Sequence, residues 1–355
     1  MKLLVSTRKG LVIYSQTNGK WNYESLHFQG IPICLSYYNP LNEMLWAFQD
    51  HGHWGIKMSK SNDFGKTWQD VEAPKFPEGA EVKDAQPASL SYVWAAQHVG
   101  DTLWLGTVPG GLFKTEDNGE TWELNRALWD DPMRKTNWFG GGMRDPGLHS
   151  IVVDPRDSKH MHIGISCAGV YETLDCGKSW QVRNKGLRAD FLPDPYAEIG
   201  HDPHLLVGCP SAPEYLWQQN HCGIFKSVNG AASWDDVTEQ GGPAKFGFAV
   251  AVDEKNPQRA WVVPGVSDEI RIAVNGALCV CRTDDGGKTW NAFRAGLPQE
   301  GSFDIVYRHG LAHFGNQLTF GSTTGNLFHS QDAGESWQVI SNYMPMIYAV
   351  DYVYV

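Results

Sequence analysis

The chain has 355 residues, 40 of them acidic and 29 basic, and a formal net charge of −11 at neutral pH. Nucleic-acid binding relies on clustered Lys and Arg that neutralise phosphates, and the sequence has no such cluster, so DNA and RNA are not expected partners. The first ten residues hold too few apolar side chains for a signal peptide, and no later stretch is apolar enough to span a bilayer. Together with seven cysteines that form no CxxC pair, this predicts a cytoplasmic protein that does not bind membranes.

Seven tryptophans along the chain each end a short motif of the same kind. The motif has Ser or Thr, then Asp two residues later, Gly two residues after that, and a second Ser or Thr directly before Trp. The intact copies end at Trp68, Trp122, Trp180, Trp290 and Trp337, and the degenerate copies end at Trp21 and Trp234. Successive tryptophans are 47 to 58 residues apart, and a period near 50 residues predicts a stacked or circular array.

Each motif predicts a tight hairpin turn. The Asp side chain accepts hydrogen bonds from backbone amides just downstream, and Gly adopts the positive φ that the turn requires. The Trp is then expected to fill the base of its own sheet or the groove beside the next one. The motif is therefore predicted to be structural.

Each repeat contains four short runs of β type, as in the fourth repeat over residues 149–153, 160–165, 169–172 and 180–183. This predicts an all-β fold, a seven-bladed β-propeller of four-stranded antiparallel blades, in a single domain over residues 1–355. Blade one is expected to combine residues 1–28 with residues 344–355, so that the C-terminal strand pairs with the N-terminal strands and closes the ring. Six blades with an extra hairpin are the alternative.

The motif resembles the Asp-box, or bacterial neuraminidase repeat, and the resemblance covers nearly the whole chain. The family includes sialidases, other glycosidases, sorting receptors and photosystem assembly factors, so the resemblance implies a propeller but no single activity. The segments around His149, 200–204 and 218–223 look like an uncharacterised bacterial group of these propellers with sialidase-like or glycosyl hydrolase annotation. The stretch that corresponds to the Phe/Tyr-Arg-Ile-Pro motif of sialidases is Gly30–Ile33 and lacks Arg, so a true sialidase is not expected.

Blade topology predicts that the longest loops gather at one mouth of the ring, called the top face here. Long loops on a rigid scaffold are where binding sites are usually found. The loops expected there are residues 75–89, 128–148, 186–203 and 265–277.

Three histidines are predicted to converge on the top face, namely His149, His204 and His221. Neutral imidazoles are common ligands of zinc and copper, and three of them with an open position are typical of a catalytic site. Two alternatives remain: polar channel residues bonded to one another, or a metal-free acid/base pair. His160 and His162 fall on an outer strand and are predicted to be structural.

Further side chains in the same loops are candidates for catalysis and substrate binding. Asp202, Glu198 and His201 are the candidate acid and base groups. The candidates for substrate binding are Arg144 and Arg188 as clamps for a negative group, Tyr196 and Trp138 as aromatic contacts, and Asp50 and His51 on the opposite side.

These residues favour a hydrolase, glycosidase-like or metal-dependent, that acts on a small polar or glycoside-like substrate in a central pocket. The expected partner is a small molecule or glycan, and the expected state is a monomer or a weak oligomer. A non-catalytic propeller that binds a protein or ligand is the alternative. A copper oxidoreductase has suitable residue types but no Met or Cys arrangement that the sequence can place.

Overall fold

A computed structural model describes residues 1–354. The chain forms seven four-stranded antiparallel sheets, and the prediction of an all-β, seven-bladed propeller is confirmed. Blade one contains β1 (Lys2–Thr7), β2 (Gly10–Thr17), β3 (Lys20–His27) and the last strand, β30 (Ile347–Val353). Blade two contains β4 (Ile33–Asn39), β5 (Met44–Asp50), β6 (Ile56–Ser61) and β7 (Gln69–Val71).

The next connection holds a small hairpin of β8 (Glu81–Lys83) and β9 (Gln86–Pro87). Blade three contains β10 (Tyr92–Val99), β11 (Thr102–Val108), β12 (Leu112–Thr115) and β13 (Glu123–Leu124). Two short helices follow it, α1 (Arg126–Trp129) and α2 (Pro132–Asn137). Blade four contains β14 (Leu148–Asp154), β15 (Asp157–Ile165), β16 (Gly169–Thr173) and β17 (Gln181–Val182).

Blade five contains β18 (Pro203–Cys209), β19 (Ala212–Asn220), β20 (Gly223–Ser227) and β21 (Asp235–Asp236). Blade six contains β22 (Gly247–Val252), β23 (Ala260–Pro264), β24 (Val280–Thr283) and β25 (Asn291–Phe293). Blade seven contains β26 (Leu311–Phe314), β27 (Gln317–Gly321), β28 (Leu327–Ser330) and β29 (Gln338–Ser341). Short 3₁₀ turns cover Gly52–Trp54, Val274–Gly276 and Arg308–Gly310. No helix among residues 1–354 is long and apolar enough to cross a membrane.

The ring closes where the last strand, β30, pairs with β1. The pairing is antiparallel and runs from Lys2 opposite Val353 to Thr7 opposite Ile347. Ile347 is fully buried and packs against Gly321 of blade seven, where a Cβ atom would lie only 2.4 Å from the Ile347 Cγ2 atom. The closing strand thus joins blades one and seven through backbone pairing and close side-chain packing.

The repeat turns have the hydrogen bonding that the sequence predicts. In the fourth, the Gly177 and Ser179 amides donate to Thr173 Oγ1 and Asp175 Oδ1, respectively, each at 2.9 Å. The final Trp of several turns donates from Nε1 to the end of the preceding blade, as Trp234 does to the Arg183 carbonyl at 2.8 Å. The turns therefore link consecutive blades.

Large tryptophans from the second strands fill the core between blades. Trp46, Trp104, Trp217 and Trp261 are almost completely buried. The repeat-turn glycine of the next blade approaches such a ring closely, since a Cβ on Gly119 would lie 2.8 Å from the Trp46 Cη2 atom. This regular packing makes a rigid support for the loops above it.

Candidate active site on the top face

A cavity of about 560 Å³ opens on the top face, around the axis of the ring. All seven blades contribute to its lining. The residues that line it at the inner strands and the 3₁₀ turn before β26 are Cys34, Tyr92, Trp94, Asp202, His204, Phe248, Tyr307, Arg308, His309 and Tyr348. The residues that line it from loops are Phe139, Gly141, Gly142, Met143, Cys167, Phe191, His221, Asp268 and Arg271.

The floor of the cavity depends on β-bulges near the top ends of the innermost strands. In six blades the register between the innermost strand and its neighbour shifts there and leaves one or two residues unpaired. A bulge re-aims a side chain that regular alternation would direct elsewhere. The residues at these shifts include Cys34, Trp94, His149, His204, Phe248 and Tyr348. All of them except His149 line the cavity.

Asp202, His204 and His221 form a cluster at the side of the cavity that blade five supplies. One carboxylate oxygen, Asp202 Oδ2, lies 3.4 Å from His204 Nε2 and 3.6 Å from His221 Nδ1. Asp202 and His204 are buried, whereas His221, in the turn between β19 and β20, is partly exposed to the cavity. The three residues hold their ligand atoms within 4.8 Å of one another.

The other oxygen of Asp202 is held by blade four. Asp202 Oδ1 accepts hydrogen bonds from Ser166 Oγ at 2.8 Å and from the Cys167 amide at 3.1 Å. Burial alone would raise the pKa of Asp202, but the polar contacts with His204 and His221, together with the charge of Arg308, hold it well below the usual value. Asp202 is therefore a fixed, ionised carboxylate.

The two histidines respond to Asp202 in opposite ways. Burial lowers the pKa of His204, although Asp202 opposes the shift. Asp202 raises the pKa of the more accessible His221, against the effect of partial burial, and Asp268 adds to the rise. The cluster therefore combines two imidazoles of unequal basicity with one carboxylate.

Two guanidinium groups face the same cavity. The Cζ atoms of Arg271 and Arg308 lie 5.3 Å and 5.5 Å, respectively, from the ring centre of Phe248, and Arg308 also lies 4.5 Å from the ring centre of Trp94. The Nε atom of Arg308 has no hydrogen-bond partner among residues 1–354. A positive group held on aromatic faces with a free donor is suited to an anionic ligand.

The predicted ligand His149 lies apart from His204 and His221. Its side chain is buried, its Nδ1 atom is 2.8 Å from Ser150 Oγ, and its ring packs edge-on against Trp94 at 5.8 Å. It lines the channel below the cavity, whereas Trp94 lines the cavity itself. The structure therefore brings together two of the three predicted imidazoles, and Asp202 takes the third place.

Glu198, His201 and Tyr196 do not line the cavity. Glu198 and Tyr196 are exposed, and His201 Nε2 donates to the Ala197 carbonyl at 2.7 Å. The imidazole of His201 thus holds the loop that precedes β18. Of the three predicted catalytic residues, only Asp202 faces the cavity.

The predicted clamps Arg144 and Arg188 also lie outside the cavity lining. Arg144 is exposed, and Arg188 Nε pairs with Asp190 Oδ1 at 3.0 Å. Trp138 is buried and donates to the Tyr171 hydroxyl at 2.7 Å. Its ring belongs to the core beneath the loop.

Asp50 and His51 contact their own blade. Asp50 Oδ1 accepts from the Gly52 amide at 2.7 Å, and His51 Nε2 lies 3.1 Å from Gln49 Oε1. Both bonds stabilise the turn between β5 and β6. A role of either residue in substrate binding stays a prediction.

No family model matches the chain, so its membership of the Asp-box family stays a prediction. The chain is 26% identical over 224 residues to an oligoxyloglucan-reducing end-specific xyloglucanase of Emericella nidulans. The match covers 54% of the chain and 25% of the relative, so the chain spans only about a quarter of that enzyme's length.

Two solved structures share the fold. An ancestral GH74 enzyme matches 87% of the chain and 38% of its own, with a TM-score of 0.59 at 15% identity. A structure of YCF48 bound to D1 peptide matches 90% of the chain and 84% of its own, with a TM-score of 0.54 at 15% identity. At these identities the likeness shows the propeller fold alone.

Proposed function

We propose that the top-face cavity is the active site of a hydrolase that acts on a glycoside-like or other small polar substrate. The observation that carries the proposal is the Asp202, His204 and His221 cluster, which faces a cavity that also contains two arginines. Perturbed ionisable groups that converge in a large pocket are typical of catalytic sites. The similarity to a xyloglucanase supports a glycoside-like substrate.

The reaction is the addition of water across one bond of the substrate. The oxygen of water bonds to the electrophilic carbon, the bond from that carbon to the leaving oxygen breaks, and the leaving oxygen gains a proton. The cluster takes up the proton that the attacking water loses, because Asp202 is ionised and two imidazoles lie beside it. The fixed hydrogen bonds from Ser166 and Cys167 keep the Asp202 carboxylate in place.

The two arginines bind the end of the substrate that lies away from the Asp202 cluster. Arg308 and Arg271 lie near Phe248, and among residues 1–354 neither has a carboxylate oxygen within 4.0 Å. Charge-assisted hydrogen bonds from guanidinium groups select carboxylates and phosphates. A sugar acid, with its ring against Trp94 or Phe248, fits this combination.

The proposal is tested by product release from neutral and uronic acid-containing oligosaccharides, measured by mass spectrometry. We expect turnover of an acidic substrate by the wild-type protein and at least a hundredfold lower kcat for Asp202→Asn, which keeps the shape but removes the charge. The matched control is Asp157→Asn, an exposed position at the opposite mouth of the ring, which leaves kcat unchanged. Equal rates for wild type and Asp202→Asn would refute an active site in this cavity.

A second candidate function is peptide or protein binding without catalysis. It is favoured by the fold similarity to YCF48 bound to D1 peptide, which extends over most of both chains. In that case no substrate in the panel is cleaved. A bound partner covers the cavity and protects Arg271 from chemical modification. The substrate panel and the protection experiment together separate the two functions.

A further inference from the structure

We infer that Asp202, His204 and His221 bind a divalent transition-metal ion, with Asp202 as a ligand in the place that the sequence assigned to His149. The inference deepens the proposed function and uses the same cavity. It rests on the tautomer of His204 and on the distances from Asp202 Oδ2 to the two imidazole nitrogens.

The tautomer of His204 is fixed by the hydrogen bond of Nδ1, the ring nitrogen that does not face Asp202. Its Nδ1 atom lies 2.6 Å from the Gly247 carbonyl oxygen, which accepts hydrogen bonds only, so Nδ1 carries a proton. In the neutral imidazole, Nε2 then has no proton and carries a lone pair. This lone pair faces Asp202 Oδ2, itself an acceptor, at 3.4 Å.

His221 lies between two carboxylates. Its Nε2 atom lies 3.8 Å from Asp268 Oδ2, and its Nδ1 atom lies 3.6 Å from Asp202 Oδ2. A carboxylate or carbonyl on the outer nitrogen of a histidine is the usual outer-shell partner of a metal ligand. Nδ1 of His221 thus faces the same Asp202 oxygen and, when unprotonated, offers a second nitrogen ligand.

The distances fit a shared ion better than direct hydrogen bonds. Protein N–H···O bonds are about 2.7–3.2 Å long, and both contacts to Asp202 Oδ2 are longer than that. Ligand atoms bound at about 2.0–2.1 Å around a tetrahedral ion lie about 3.3–3.4 Å from one another. His204 Nε2 and Asp202 Oδ2, both acceptors at 3.4 Å, repel each other unless a cation or a proton lies between them.

The surroundings complete the set of interactions that a divalent ion requires. Asp202 and Asp268 supply two negative charges, and Asp202 is oriented through Oδ1 by Ser166 and Cys167. Three protein ligands leave a position open towards the cavity, which is typical of catalytic rather than structural sites. When bound, such an ion lowers the pKa of the attacking water to about 7.

A second group of two histidines and a carboxylate in the chain provides a contrast. His160 Nε2 lies 2.8 Å from Glu172 Oε1, a direct hydrogen bond, and Arg183 Nε donates to Glu172 Oε2 at 2.6 Å. His162 Nε2 lies 3.1 Å from the Gly230 carbonyl and 3.3 Å from Glu172 Oε1. These donors already satisfy the carboxylate, so this group serves as a matched control without a predicted metal.

The experiment measures zinc by elemental analysis after the full-length protein is stripped with a chelator, reloaded with Zn²⁺ and dialysed. We expect one equivalent in the wild type and in the control His160→Ala, and at least a tenfold loss of affinity in His221→Ala and Asp202→Asn. His221 is partly exposed, so its variant is expected to fold, and circular dichroism checks this. Loading with Co²⁺ gives a second readout, since visible bands of four-coordinate cobalt are expected only when both His204 and His221 are present.

Two outcomes would overturn the metal site. One is a wild-type protein that retains no zinc and shows no cobalt bands. That result would mean that a proton, and not a metal ion, lies between Asp202 and the imidazoles. The other is an unchanged zinc content in His221→Ala. Hydrolysis by a metal-free wild type would reject the metal but keep the proposed function, whereas stoichiometric zinc without any hydrolysis would keep the metal and reject the function.

Discussion

The contact between Gly321 and Ile347 tests how the ring is closed. A Cβ atom on Gly321 would lie 2.4 Å from Ile347 Cγ2 and 2.7 Å from Ile347 Cδ1, so Gly321→Ala forces the closing strand away from blade seven. Overpacking of this kind costs about 1–3 kcal/mol. Ile347→Ala removes a fully buried side chain and costs about 2–5 kcal/mol.

The double variant gives the sharper result, because the new methyl group occupies part of the space that Ile347 vacates. We expect its loss of unfolding free energy to be smaller than the sum of the single losses by about 1–2 kcal/mol, within the range for residues in contact. Urea unfolding followed by tryptophan fluorescence measures all four proteins. Tyr354→Ala, at an exposed position beyond the strand, is the control and should change stability by less than about 0.5 kcal/mol. Additive losses would refute the packing of β30 against blade seven.

Three further predictions concern a repeat turn, a buried ion network and the cavity. Gly119→Ala is expected to lower the free energy of unfolding, measured by urea denaturation, by about 2–3 kcal/mol, because Gly119 has φ +90° and lies against Trp46. The control Gly100→Ala, with φ +59° and open space around it, should cost less. Equal losses in the two variants would contradict the packing of Gly119 against Trp46. Hydrogen bonds from His162 and Arg183 outweigh burial and lower the pKa of Glu172 from 4.5 to about 2, so this carboxylate contributes about 3 kcal/mol above pH 4.5 that is lost as the pH falls towards 2. The urea midpoints of wild type and Glu172→Gln should therefore differ at pH 7 and converge near pH 2–3, and a constant difference would be inconsistent with this shift. Arg308→Met should raise KM for an acidic substrate by about tenfold to a hundredfold, which corresponds to the loss of one charge-assisted hydrogen bond. Steady-state kinetics should show no such rise for a neutral substrate, and none for the control Arg156→Met.

The fold was predictable because its determinants are local and repeated. The turn that ends at Trp180 needs only the side chains of Thr173, Asp175 and Ser179 and the conformation of Gly177, and all of them are read directly from the motif. Four short β runs per period then require a blade. The closing strand follows from an unpaired final run and an incomplete first repeat.

The site was only partly predictable, since it depends on the direction of side chains at irregular positions. Asp202, His204 and His221 lie near the top mouth, as blade topology predicts for residues that start or connect strands of blade five. The bulges that direct Trp94 into the cavity and leave His149 below it have no local sequence signature. Arg308 could not be predicted from loop length, because it lies in a 3₁₀ turn directly before β26 and outside the long top-face loops.

Glu198, Arg144 and Arg188 show the limit of reasoning from loops. Each lies in a top-face loop, as the topology predicts, but the loops fold so that these side chains do not line the cavity. The sequence identifies which loop reaches the mouth of the ring. The direction of each side chain depends on tertiary packing, such as the bond from His201 to the Ala197 carbonyl that holds the loop of Glu198.

The most direct test of the central claim is a crystal structure of Asp202→Asn with an acidic oligosaccharide that the wild-type protein cleaves. We predict the sugar in the top-face cavity, with its acidic group against Arg308 and Arg271 and the scissile bond beside residue 202 and His221. Binding of the same oligosaccharide at another face of the ring, with the cavity empty, would contradict the account.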